Sequence, residues 1–441
     1  MSPRIAAPSD ASNADRGTQV LYYASRLTSQ TGQGLFFALL VVVAGPGGSG
    51  ALGLGSVMVA MTVAAIALGP LGGGAVDRLG PRFALVTGAG LRLVAIGCAV
   101  LVLGHGEYAW TAAFVYSAAS QVFSPAELAL VSSIRRRRPA GAHASLFALQ
   151  FGGQVLGAFA FAPALFWLGG TSAMLTGALL LYGAVVVLAA ILGSRLHTSG
   201  VSRLRGRRSS VRFTSTLRFI GGEPRALYAV GLLAFVDVMT KCLLIAAPIY
   251  FRSELDLGRV QVAMLVGIAA VGALIGLVWA ARPLSGRQST MVMRWMLLAT
   301  LASVFALTPL GDGLSTLTVA GASLEFDGVA APLRAGAVAA VPAVLVLGAS
   351  LSMTPIIARS VLTTTTPAEH QGRVFAAEAV LSNVLVVPAL LLAALSTDLV
   401  SARATVLFIG VVGIALFLLL EYAALGRAEP AASDAATVEA V

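Results

Sequence analysis

Asp237 and Lys241 stand four residues apart inside the apolar run 226–251. In a helix that spacing puts both side chains on one face. Counted from residue 226, they lie roughly 16 and 22 Å into a hydrocarbon core of about 30 Å. Either charge alone near mid-bilayer costs several kcal/mol, so the two are expected to pair. A neutralised structural pair is one use of that arrangement. The other is a titrating site, in which Asp237 takes a proton in one conformation and releases Lys241 to meet a substrate or another carboxylate. Glu378, in the apolar run 373–396, is a second proton-site candidate, with pairing to Arg373 near the interface as its structural reading. Metal and nucleophile chemistry find no support. His105, His143, His197 and His370 are scattered, Cys98 and Cys242 sit inside apolar runs, and there is no phosphate-cradling glycine loop of the Walker type. The expectation is a chain that is not an enzyme and needs no cofactor.

The elements that must hold these groups are membrane helices. The 441 residues are 58% hydrophobic and 11% charged, with a mean hydropathy of +0.90. A soluble chain carries about 25% charged residues, so too little polar surface exists here to coat a water-facing globule. Twelve runs are long enough to span: 21–45, 52–72, 83–104, 108–133, 143–168, 171–194, 226–251, 259–281, 290–310, 337–361, 373–396 and 402–425. They lack barrel alternation and must be helices, because lipid offers the backbone no hydrogen bonds. Prolines 125, 163, 248, 342, 355 and 388 fall inside them and are tolerated where helices pack.

Arginine placement orients the spans. Of 29 basic residues, 23 fall on one side, four on the other (Arg252, Arg259, Arg334, Arg403), and Arg92 and Lys241 lie within the bilayer. The positive-inside rule then predicts both termini in the cytoplasm. The opening residues carry Asp10, Asp15 and Arg16 and lack an apolar centre, which argues against a cleavable signal peptide. The run Arg135–Arg138 reads as a topology anchor. The expected domains are a tail 1–20, a bundle 21–194, a basic linker 195–225, a bundle 226–425 and a tail 426–441. Within the linker, 210–220 alternates well enough for a short surface helix. In the external loop 311–336, the stretches 315–319 and 322–326 predict a β-hairpin turning at Ala320–Gly321. An internal repeat at an offset of 228 pairs Pro139-Ala140 and Ser145-Leu146-Phe147-Ala148 with Pro367-Ala368 and Arg373-Val374-Phe375-Ala376. Half-length repeats of this kind build many secondary transporters.

The loop between the second and third spans reads Gly73-Gly74-Ala75-Val76-Asp77-Arg78-Leu79-Gly80-Pro81-Arg82. It resembles the signature loop of the major facilitator superfamily, G-x-x-x-D-R-x-G-x-R, at every defining position. Gly73 permits close helix contact, Gly80 a tight turn, and Asp77 can lie against a helix amino terminus. The resemblance implies an all-α membrane fold of twelve helices, in two six-helix bundles around a central cavity. It also implies a cytoplasmic gate in which Asp77 meets the eleventh span near Gly372 and Arg373. Glu127 is expected to pair with Arg78 or Arg82. Three further stretches are similar to the multidrug, macrolide and siderophore exporter branch: Phe123–Leu130, Leu217-Arg218-Phe219 with Glu223-Pro224, and Gly372–Ala376. The fifth span departs from the antiporter motif G-x-x-x-G-P-x-x-G-G. It keeps Gly153 and Gly157, which allow close packing, but lacks the proline and paired glycines.

The resemblance places spans 1, 4, 7 and 10 around the cavity. Their neutral polar groups are the expected lining: Ser29, Gln30 and Gln33; Tyr116, Ser117, Ser120 and Gln121; Thr240; Ser350, Ser352 and Thr354. A mostly aliphatic wall with such sparse groups suits an amphiphilic or hydrophobic substrate. The partners expected are that small molecule, protons and the bilayer, with no nucleic acid, for a monomer in a bacterial inner membrane. The leading function is proton-coupled export by alternating access. The alternatives are lipid or lysolipid movement, gradient-driven facilitation, and a non-transporting scaffold or sensor.

Overall fold

The computed structural model describes residues 9–44, 50–103, 108–134, 149–195, 213–280, 282, 286–309, 318–326, 329–366 and 368–425. Nearly all of them are helical, and among them nine helices are long and apolar enough to cross a membrane. The chain is a multi-pass membrane protein. Its outward faces are greasy: Leu101, Leu180 and Val278 are 79%, 71% and 71% exposed, a surface that lipid and not water can cover.

Two compact units form, residues 1–48 with 60–209, and residues 49–59 with 210–441. The first contains α1 (Ser9–Ala44), most of α2 (Gly50–Leu79), α3 (Pro81–Leu103), α4 (Ala109–Ile134), a π-helical turn Leu156–Phe161, and α5 (Ala162–Arg195). Its core joins Tyr22, Leu85, Phe123, Ala126, Val185 and Leu192 from four helices. The predicted boundary between spans 5 and 6 is visible as a break at Gly169–Gly170, where Gly170 has φ +65°. Leu165 lies against Gly177, so the chain doubles back there.

The second unit holds α6 (Phe213–Gly222), α7 (Pro224–Ser253), α8 (Arg259–Ala280), α9 (Gly286–Leu307), α10 (Ala335–Thr365), α11 (Ala368–Leu399) and α12 (Ala402–Leu425). The short linker helix starts at Phe213 and runs to Gly222, two residues beyond the expected end; residues 210–212 lie outside the described residues. It stops because Glu223 precedes Pro224 and is held extended (φ −107°, ψ 106°). At the other end of the bundle, the Asp398 carboxylate accepts the amide hydrogens of Ala51 and Leu52 at 3.2 and 3.1 Å, satisfying the first turn of α2.

The hairpin is present, but its turn is not at Ala320–Gly321. Strands β1 (Thr318–Phe326) and β2 (Val329–Arg334) pair antiparallel, with Phe326 opposite Val329. Residues 327–328, between the strands, lie outside the described residues. Gly321 falls instead in the irregularity between Thr318 and Ser323, the usual meaning of a glycine inside a strand. Residues 139–148 and 367, which carry much of the internal repeat, lie outside the described residues, as do Arg135–Arg138.

Candidate functional site

Helix α7 packs on α10, α11 and α12, and it carries the charged pair at its centre. Lys241 Nζ donates to Asp237 Oδ2 at 2.8 Å. The two side chains are 28% and 37% exposed, respectively, so the pair is reachable from outside the packed interior. Thr240 is half-buried and donates its hydroxyl to the Val236 carbonyl one turn back, at 2.7 Å. On α11, Glu378 is 5% exposed and accepts a hydrogen bond from Ser382 at 3.3 Å. Arg359 of α10, Asp237 and Lys241 all act on its charge. Neutralising Asp237 would remove the counter-charge that Lys241 touches. Arg359 was counted in the sequence only among the cytoplasmic arginines. Arg373, the expected partner of Glu378, has a side chain outside the described residues.

A second ionic cluster occupies the first unit, and the sequence indicated only pieces of it. Glu127 does not take Arg78 or Arg82 as its partner; it pairs with Arg26 of α1. The reason is burial. Glu127 and Arg26 are 4% and 5% exposed, whereas Arg78 stands exposed at the end of α2. A sealed carboxylate needs its counter-ion in contact. Arg26 also donates to Gln150 Oε1 at 3.1 Å, and the Tyr22 hydroxyl points to the Glu127 carbonyl at 3.5 Å. Arg92 of α3 is 2% exposed. Its guanidinium donates to Ser120 (2.8 Å), Ser29 (3.1 Å) and Ser124 (3.4 Å), and lies 4.2 Å from the Phe123 ring centroid and 5.6 Å from that of Tyr116. Hydroxyls and ring faces hold this cation within reach of the Glu127 charge.

Glycines make the cluster possible. A Cβ on Gly157 would strike the Thr31 carbonyl, and one on Gly34 would strike the carbonyl of Gln154. Backbones of α1 and the fifth span therefore touch, as the Gly153/Gly157 spacing suggested. Gln154 Nε2 donates to Gln30 Oε1 at 3.0 Å, one turn above the Arg26–Gln150 contact. Where the antiporter motif would carry its proline, this chain has the π-turn Leu156–Phe161, a distortion often found at functional positions.

The expected lining residues divide by burial. Tyr116, Ser350 and Thr354 are at most 1% exposed and spend their hydroxyls on packing. Tyr116 bonds the Tyr182 hydroxyl, Thr300 donates to Ser350 at 2.8 Å, and Thr354 to the Ser350 carbonyl at 2.7 Å. Gln30 is 5% exposed in its contact with Gln154. Gln33, Gln121 and Thr240 keep partial exposure.

In the signature loop, α2 runs to Leu79, Gly80 takes φ +82°, and α3 begins at Pro81. Arg78 is exposed and Arg82 half-buried; the side-chain positions of Gly73, Asp77, Gly372 and Arg373 lie outside the described residues. No atom lies within 4 Å of where a Gly80 Cβ would be. Substitution there is limited by backbone conformation alone. We expect Gly80→Ala to cost about 1 kcal/mol and Gly80→Asn less, since asparagine visits the left-handed region more readily. Thermal midpoints in detergent, Asn above Ala, are the check.

No family model and no curated protein matches the sequence. Solved structures do. The crystal structure of a bacterial homologue of the iron transporter ferroportin, with soaked iron, aligns over 93% of this chain and 98% of its own at TM-score 0.62 and 16% identity. The human organic anion transporter MFSD10 (TETRAN) gives 92%, 99%, 0.62 and 14%. The nucleoside transporter NupG gives 93%, 99%, 0.65 and 11%. The chain has the fold of major-facilitator-type transporters. At these identities the likeness carries the fold and no substrate; among the described residues no three His, Cys, Asp or Glu side chains come together to hold a metal.

Proposed function

We propose that the chain is a secondary transporter that moves a small amphiphile out of the cell against protons. It would alternate between inward- and outward-open forms by rocking its two bundles. The observation that carries this reading is the Asp237–Lys241 pair, 2.8 Å apart and part-exposed on an apolar helix, with the buried Glu378 sharing its field. A scaffold has no use for such a group in lipid, where it is costly. Asp237 takes the proton, Lys241 is released, and Glu378 is the carboxylate that Lys241 then meets. The Gly73–Arg82 loop with Asp77, together with Glu127, Gly372 and Arg373, would serve as the cytoplasmic gate, as the family resemblance implies. Gln33, Gln121 and Thr240, which keep partial exposure, would offer hydrogen bonds to the substrate, whereas Gln30, Tyr116, Ser350 and Thr354 are buried. The branch-like stretches Phe123–Leu130, Leu217-Arg218-Phe219 with Glu223-Pro224, and Gly372–Ala376 favour the multidrug, macrolide and siderophore exporter branch. The protein works as a monomer in a bacterial inner membrane, both termini cytoplasmic, without cofactor or enzymatic step. The test is reconstitution in liposomes with an imposed pH gradient, screening amphiphiles and lysolipids. Flux that rises with the gradient supports the reading. Gradient-independent flux means facilitation or lipid movement, and none for any compound returns the scaffold.

A further inference from the structure

Resting on the transport reading, we infer that the substrate carries an acidic group, received by Arg92 beside Ser124 in the first unit. The described members of the buried cluster are two guanidiniums, Arg26 and Arg92, and one carboxylate, Glu127. Glu127 is committed to Arg26 by direct contact. Arg92 is held by three serine hydroxyls and two aromatic rings, and among the described residues no carboxylate touches it, at a depth where charges normally pair.

The geometry shows where an anion would meet it. Of the three hydroxyl contacts, the one to Ser124 is the longest at 3.4 Å, and Ser124 is exposed while Ser120 is buried. Ser124 ends a polar stripe on α4, Ser117, Ser120, Gln121 and Ser124, whose spacing of three and four residues keeps it on one face. Gln121 on that stripe is half-buried, with only its amide nitrogen bonded, to the Ser117 carbonyl at 3.1 Å. A carboxylate or phosphate at Ser124 exchanges the weakest contact of Arg92 for a charge-assisted one, and the guanidinium fork suits either group. In the second unit Lys241 already touches a carboxylate, that of Asp237. The amphiphile is therefore an acid with an apolar body, whether free in solution or a lipid with an acidic headgroup.

The test uses the full chain purified in a neutral detergent, with dodecanoate, dodecyl phosphate and dodecyltrimethylammonium as probes and thermal midpoint as readout. Both anions should raise the midpoint with their concentration and the cation should not. Arg92→Gln should weaken that response by about tenfold or more, and Arg92→Lys should keep part of it. Should Arg92→Gln fail to fold, Ser124→Leu leaves the charge in place and blocks its exposed side, with the same loss expected. In nanodiscs, phosphatidylglycerol against phosphatidylcholine separates the sources: a response confined to phosphatidylglycerol identifies a lipid headgroup, and one to the soluble anions identifies a free acid. Equal stabilisation by cation and anion, or an unchanged anion response in both Arg92→Gln and Ser124→Leu, overturns the inference. Asp237→Asn keeps the anion response while losing gradient-driven flux, so failure here and failure of proton coupling are told apart.

Discussion

Asp237→Asn should leave the protein folded and reduce gradient-driven flux to that of protein-free liposomes. Asparagine is nearly the same size and its carbonyl can still accept the Lys241 proton now donated at 2.8 Å. What it cannot do is take up or release a proton, so the charge that alternately holds and frees Lys241 no longer changes. Exchange of labelled substrate at equal pH on both sides should survive, because it requires movement of the bundles and no net protonation. Glu378→Gln should show the same split with a partial loss, since Glu378 is buried with Ser382 and meets Lys241 only through its field. Flux assays with and without a gradient check both. Full gradient-driven activity in Asp237→Asn removes this residue from coupling.

Glu127→Leu has the largest expected effect on stability. Deleting one partner of a sealed ion pair leaves the other charge unmet and costs about 3–5 kcal/mol. Here the cost falls on Arg26, 5% exposed, and also on Arg92, which shares the Glu127 field. The thermal midpoint of the variant should fall well below that of the parent. Adding Arg26→Met in the same chain should recover much of the loss, because the orphaned charge is then gone and the methionine fills part of its volume. Arg78→Ala and Arg82→Ala should leave the midpoint close to that of the parent, in keeping with a Glu127 partner on α1. A drop for Arg78→Ala equal to that of Glu127→Leu contradicts the observed pairing.

Much of the fold was legible because lipid leaves a chain so few choices. The run lengths alone set the helices, and Gly169–Gly170 falls between the spans read as 143–168 and 171–194. Gly80 turned where its motif position said, and Asp237 met Lys241 because four residues is one helical turn. What the sequence could not give were contacts between distant segments. Glu127 lies 101 residues from Arg26, and no periodicity selects that partner over the nearer-looking Arg78. Arg92 offered one usable signal, a lone arginine inside an apolar run, which by itself demands polar surroundings; Ser29, Ser120 and Ser124 supply them from two other helices. Gly321 reads in the sequence as a turn residue but lies inside β1, because a glycine marks a turn and a strand irregularity alike. Tyr116, Ser350 and Thr354 looked like cavity lining because polarity within a span marks either a pathway or helix packing, and composition does not separate the two.

The central claim is that the Asp237–Lys241 face of α7 meets water from each side of the membrane in turn. Thr240→Cys, placed beside that pair in a chain whose Cys98 and Cys242 are replaced by serine and alanine, reports this with a membrane-impermeant maleimide. Labelling from the outside under one direction of pH gradient, and from the inside under the other, is the predicted result. Labelling from neither side, with reaction only by a lipid-soluble reagent, would mean that the pair faces acyl chains and would contradict the account.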